Sequence, residues 1–162
     1  GSRRADCEES ARILGVEQLV DVEDLDEAMA ALGDGRLAAR TRHVVSEIAR
    51  TRAFIDLLDE GPLEGTRLKV AGALMNDSHD SLRDDYEVSC EELDVAVDAA
   101  RAAGAHGARM TGGGFGGSAI ALVDAHAVEN VARAVAAAYA ERGWEPPHFI
   151  RSLPGAPAGR LD

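Results

Sequence analysis

Apolar residues recur at helical spacing through the first half of the chain. Cys7, Ala11 and Leu14 fall at i, i+4 and i+7, and Gly15 follows where a left-handed residue closes a helix. A second helix is predicted over 22–32, with Leu25, Met29 and Leu32 on one face and Gly33 as its stop; Asp34-Gly35 then makes a turn. The third segment, 37–60, spaces Leu37, Val44, Ile48, Ile55 and Leu58 among charged residues until Gly61-Pro62 ends it. Residues 66–82 predict another helix with Leu68, Ala71, Met75 and Leu82 inward, weakened by Gly72.

The pattern changes after that. Tyr86-Glu87-Val88 reads as a short strand, and Ser89 with Glu92 forms the spacing of a capping box. The helix this opens sets Leu93, Val97 and Ala100 inward and stops at Gly104. Residues 108–111 and 118–123 are β-prone runs on either side of a glycine loop. Asp124 is placed to cap a helix with the stripe Val128, Val131, Val135 and Ala138, ending at Gly143. Pro146-Pro147 blocks continuation, 148–153 reads as a last strand, and 154–162 as a frayed Pro- and Gly-containing tail. Helices first, then a small antiparallel sheet with crossing helices, make the class α+β.

Composition narrows what such a fold can do. The 162 residues carry 17 Lys and Arg against 29 Asp and Glu, a net charge of −12, with 46% hydrophobic and only 4% aromatic residues. The core must therefore be built from small aliphatics. The acidic balance argues against nucleic acid or an anionic membrane surface as partner, and no apolar run approaches a bilayer span. Cys7 and Cys90 are too far apart for a CxxC site and read as reduced, cytoplasmic thiols. Gly1-Ser2 reads as a vector-derived remnant, so the chain is expected to be cut from something longer.

The segment from Met110 to Ser118 dominates the chemistry. Five of the six residues 112–117 are glycine, with Phe115 among them. Such a loop costs more backbone entropy to order than any other composition, and its gain is close approach to the main chain by an anion or another loop. Gly112, Gly114 and Gly117 satisfy GxGxxG literally. A dinucleotide fingerprint, however, opens a helix, and this loop feeds a β-prone run. No Lys followed by Ser or Thr comes after the last glycine, so it is not a Walker A loop either. A ligand-free glycine hairpin is the plain alternative.

The string Arg109-Met-Thr-Gly-Gly-Gly-Phe-Gly-Gly117 resembles the third signature motif of the galactokinases, within the GHMP kinases. Asp77-Ser-His-Asp-Ser-Leu-Arg-Asp-Asp-Tyr-Glu-Val-Ser89, Arg3-Arg4-Ala-Asp-Cys-Glu8 and Arg42-His-Val-Val-Ser-Glu47 are similar to further strings of that family, in the same order. Ser118 departs from the Cys that galactokinases often place there. The resemblance implies a GHMP kinase C-terminal domain over 3–153, and a parent enzyme that transfers the ATP γ-phosphate to the C1 hydroxyl of galactose with Mg²⁺. The family's N-terminal lobe holds the sugar-binding segment, the Pro-x-x-x-Gly-Leu-Ser-Ser phosphate loop and the catalytic Asp and Arg; none of these occurs in this sequence. No catalytic residue is therefore carried over. The implied site is the loop Thr111, Gly112, Gly113, Gly114, Phe115, Gly116 and Gly117 at the interface with that lobe, which would itself bind most of the ATP and Mg²⁺. The 162 residues alone are expected to be inactive. Two other readings stay open: a non-catalytic galactokinase-like sensor, and a sister GHMP sugar kinase.

His79 stands among Asp77, Asp80, Asp84 and Asp85, a set that could be drawn as a hard-metal site; helix-end and turn acids on a solvated face explain it better. By resemblance, 78–84 faces the cleft between lobes. His43 is expected to pack within a helix face or interface, His106 and His126 to lie on the surface, and His148 in a loop. Glu8-Glu9 and the charges of 98–101 read as ordinary helix surface.

Overall fold

The computed structural model describes residues 2–153; Gly1 and the expected tail 154–162 lie outside the described residues. Helices α1 (Ser2–Leu14), α2 (Leu25–Leu32), α3 (Arg36–Asp59), α4 (Gly65–Asp84) and α5 (Glu91–Ala102) precede strands β1 (Gly107–Thr111) and β2 (Ser118–Leu122), and α6 (Val128–Ala140) follows. A 3₁₀ turn at Leu19–Asp21 joins the first two helices. The strands are antiparallel, with Arg109 opposite Ile120 and Thr111 opposite Ser118. The α+β reading holds. The sheet is smaller than expected, with two strands among the described residues.

One apolar cluster joins α5, β1 and α6 through Val97, Ala100, Ala108, Val131, Val135 and Tyr139; Trp144 folds back against it. A second, of Leu82, Val88, Leu93 and Met110, sits under the glycine loop. The core face of α5 is the one its periodicity predicted, whereas on α6 the buried third position is Tyr139 rather than Ala138. Helix α3 departs furthest. Its buried residues are Ala38, Arg40, Thr41, His43 and Leu57, while Ile55 and Leu58 are exposed. It packs on α1, where Asp6 and Ser10 are also buried, so the interface is polar, with Ser10 donating to the Leu37 carbonyl and Asp6 forming an ion pair with Arg40.

The expected strand at 86–88 is irregular because side chains and loops take its backbone groups. Arg3 donates to the carbonyls of Tyr86 and Glu87, and Arg40 to that of Asp85. The Val88 amide returns to Leu82 O, and Glu87 sits at φ 51°. The capping box does not form either. Ser89 Oγ donates to Asp94 at 2.5 Å instead, and Cys90 becomes the N-cap of α5. Asp124 pairs with His106 at 3.0 Å and closes a turn, leaving Ala127 to cap α6. Residues 148–153 form no ladder: Phe149, Ile150 and Leu153 are exposed in an irregular segment.

Candidate functional site

Strand β1 leads into the glycine loop, and its position is set by α4. The helix crosses the strand where two glycines meet. A Cβ on Gly72 would lie 2.0 Å from His106 O, and one on Gly107 would lie 2.3 Å from Gly72 O. With that approach allowed, side chains of α4 serve the edge of β1 away from β2. Asn76 Oδ1 accepts the Ala108 amide at 2.9 Å, and His79 Nδ1 accepts the Met110 amide at 3.1 Å. Arg101 of α5 donates to the carbonyls of Asn76 and Ala108 and pairs with Asp80, so it is a brace between elements rather than surface charge. Buried strand edges need partners, and here helix side chains supply them.

A second network fixes Arg109. Glu47 accepts from Arg109 at 3.0 Å, from Ser78 at 2.6 Å and from Arg50 at 2.8 Å. Burial alone would raise the Glu47 carboxyl, but these donors outweigh it and hold it below its ordinary value. Nearby, His43 stacks on Tyr86 with ring centroids 4.4 Å apart and meets Ser81 Oγ at 3.0 Å. Burial pushes its pKa down to about 4.

Between the strands the loop stands open. Gly112, Gly114, Gly116 and Gly117 have φ of 86°, 83°, 120° and 100°, which favours glycine at each. Gly114 is also a contact: a Cβ there would fall 2.2 Å from Val88 O. The adjoining Phe115 amide donates to that same carbonyl at 2.7 Å. Phe115 itself holds φ 60°, a strained value for an aromatic residue, with 70% of its surface exposed. A Cβ at Gly112, Gly113, Gly116 or Gly117 would meet nothing within 4 Å. The loop is thus pinned at its centre and bare on its outer side. Thr111 is exposed beside it.

The acids around His79 do not converge on the imidazole as a ligand set. Ser78, His79, Ser81 and Leu82 turn inward, whereas Asp77 and Asp84 face solvent. Among the described residues no group of three or more His, Cys, Asp or Glu could hold a metal ion. All four of these acids, Asp77, Asp80, Asp84 and Asp85, line one shallow depression together with Arg42, Arg50 and Ser81; a second lies beside Glu47, Thr51 and Arg52. Sequence reasoning missed the Asn76, His79, Arg101 and Glu47 contacts. Their one signal was polar residues interrupting an apolar stripe.

Residues 54–141 match the protein family described as GHMP kinases C terminal. A galactokinase of Streptomyces coelicolor is 48% identical over 99% of this chain and 41% of its own length. A galactokinase of Bos taurus is 49% identical over 80% of this chain and 32% of its own. The crystal structure of Lactococcus lactis galactokinase complexed with galactose superposes with a TM-score of 0.80 at 38% identity, over 90% of this chain and 38% of that one. The chain therefore spans about two-fifths of the length of the curated relatives it matches.

Proposed function

The chain belongs to the GHMP kinases, as their C-terminal domain, and from that premise we propose that residues 3–153 form the C-terminal lobe of a galactokinase. The reaction is transfer of the ATP γ-phosphate to the C1 hydroxyl of galactose. The carrying observation is the loop from Thr111 to Gly117, pinned by Gly114 and Phe115 against Val88 and bare at Gly112, Gly113, Gly116 and Gly117. In this reading the bare side closes on the nucleotide site of a preceding lobe, excluding water and leaving room for backbone approach.

Charge supports the division of labour. A net charge of −12 repels a polyphosphate at long range, so the phosphates need cationic partners that this lobe does not concentrate at the loop. In this reading Mg²⁺ and most of the ATP are held by the preceding lobe, and the part assigned to this lobe does not involve the metal. The lobe's own part is shape: β1 holds the loop at a fixed height, with Thr111 at its start and Phe115 within it as supports.

A coupled assay with ATP and galactose tests this. The 162 residues alone give no turnover; robust phosphorylation by them overturns the reading. In the full-length protein, Gly113→Ala is the sharper variant. Its methyl meets nothing within this domain, so the thermal midpoint should hold, while a crowded cleft costs roughly 10–100-fold in kcat/KM. Unchanged activity in that folded variant removes the loop from the site.

A further inference from the structure

We propose that His79 is the positioning residue of the glycine loop, holding the strand that enters the loop through Nδ1 while its other ring nitrogen is turned toward the carboxylate of Asp94. The contact is direct. Met110 stands two residues before Gly112, and its amide donates to His79 Nδ1 at 3.1 Å. A backbone amide can only donate, so Nδ1 is the bare nitrogen and the ring proton sits on Nε2. The other nitrogen faces α5. Nε2 lies 3.3 Å from Asp94 Oδ1 and makes no hydrogen bond to it; that carboxylate accepts from Ser89 Oγ at 2.5 Å. Ser89 follows Val88, whose carbonyl receives the Phe115 amide. The fully buried imidazole thus holds the strand entering the loop directly, with α5 packed on its far side.

An aliphatic side chain of similar size would fill the same space without the cost of burying two polar nitrogens. The imidazole is suited to the place because its neutral ring keeps one bare nitrogen, and that nitrogen accepts the Met110 amide. Its charged surroundings are mixed: α5 presents Asp94 and Arg101, α4 presents Asp80 and Arg83, and β1 presents the uncharged Met110 amide. Burial, against the pull of Asp94, keeps the ring below its ordinary pKa and so neutral near pH 7. Protonation would set an N–H against the Met110 N–H and release the strand end.

The test is ring ¹⁵N NMR with amide exchange on the labelled chain, comparing wild type, His79→Asn and His79→Gln. The expected ring carries its proton on Nε2. Asn places an acceptor near the position of Nδ1 and keeps the Met110 amide within about threefold of wild-type exchange. Gln reaches toward Asp94 instead, speeds Met110 exchange at least about tenfold relative to other β1 amides, and shifts the resonances of residues 112–117. A ring protonated on Nδ1 at neutral pH overturns the proposal, as does equal Met110 exchange in the two variants. If either variant fails to fold, the wild-type acid titration decides. Met110 protection must fall with the titration of the His79 ring, and protection that ignores it overturns the proposal. The functional meaning rests on the proposed role of the loop, but these readouts need no substrate, so a failed sugar-kinase assay leaves them standing.

Discussion

At the scale of single residues, this domain is organised by buried polar side chains. Arg40, Thr41, Ser78 and His79 are all nearly or fully buried, each on a helix face that apolar spacing assigned to aliphatics, and His43 is buried against Tyr86 as a packing residue, as expected. The sequence could not show the rest, because an Arg within a helical stripe reads as solvated until a partner such as Glu87 is brought to it. The glycine loop was legible, since five glycines in six positions carry an ordering cost that close approach to the main chain can offset. The buried histidines make a prediction. His43 titrates near 6.5 when unfolded and about 4 when folded, so the unfolded chain takes up its proton first. The stability His43 lends is full above 6.5 and is lost as pH falls from there toward 4. Glu47, held below its ordinary 4.5, adds loss in the same direction at lower pH. Urea midpoints should drop through that window, and His43→Asn should flatten the drop. A wild-type midpoint independent of pH contradicts the assignment.

Among elements, the decisive contact is α4 on β1. Periodicity placed both correctly, and Gly72 read as a weak point in the helix; the structure shows it as the crossing point, opposite Gly107. The predicted strands at 86–88 and 148–153 failed for a shared reason. A strand exists only with a ladder partner, and no local pattern reports that Arg3 and Arg40 claim the first segment's carbonyls. The crossing is testable by Gly72→Ala. Its Cβ would meet backbone, which costs about 1–3 kcal/mol or more in overpacking, against about 1 kcal/mol returned by helix propensity. We expect a net loss near 2 kcal/mol, or roughly 4–8 °C in Tm, read by calorimetry. A neutral or stabilising effect would mean the helix and strand are not in contact there.

The whole molecule is asymmetric. Its core lies between α5, β1 and α6, whereas every residue of β2 except Leu122 is exposed, including Ile120. An exposed strand beside an open glycine loop is a surface awaiting cover, and relatives more than twice as long as this chain have the material to provide it. The central claim is that this cover is a nucleotide site closing on the bare main chain of the loop. Hydrogen exchange on the full-length protein, with and without a non-hydrolysable ATP analogue, reads that closure directly. The account predicts that the amides of residues 112–117 slow by at least about tenfold on nucleotide binding, while those of α6 stay unchanged. Saturating nucleotide that leaves the loop amides exchanging at their free rate would contradict it.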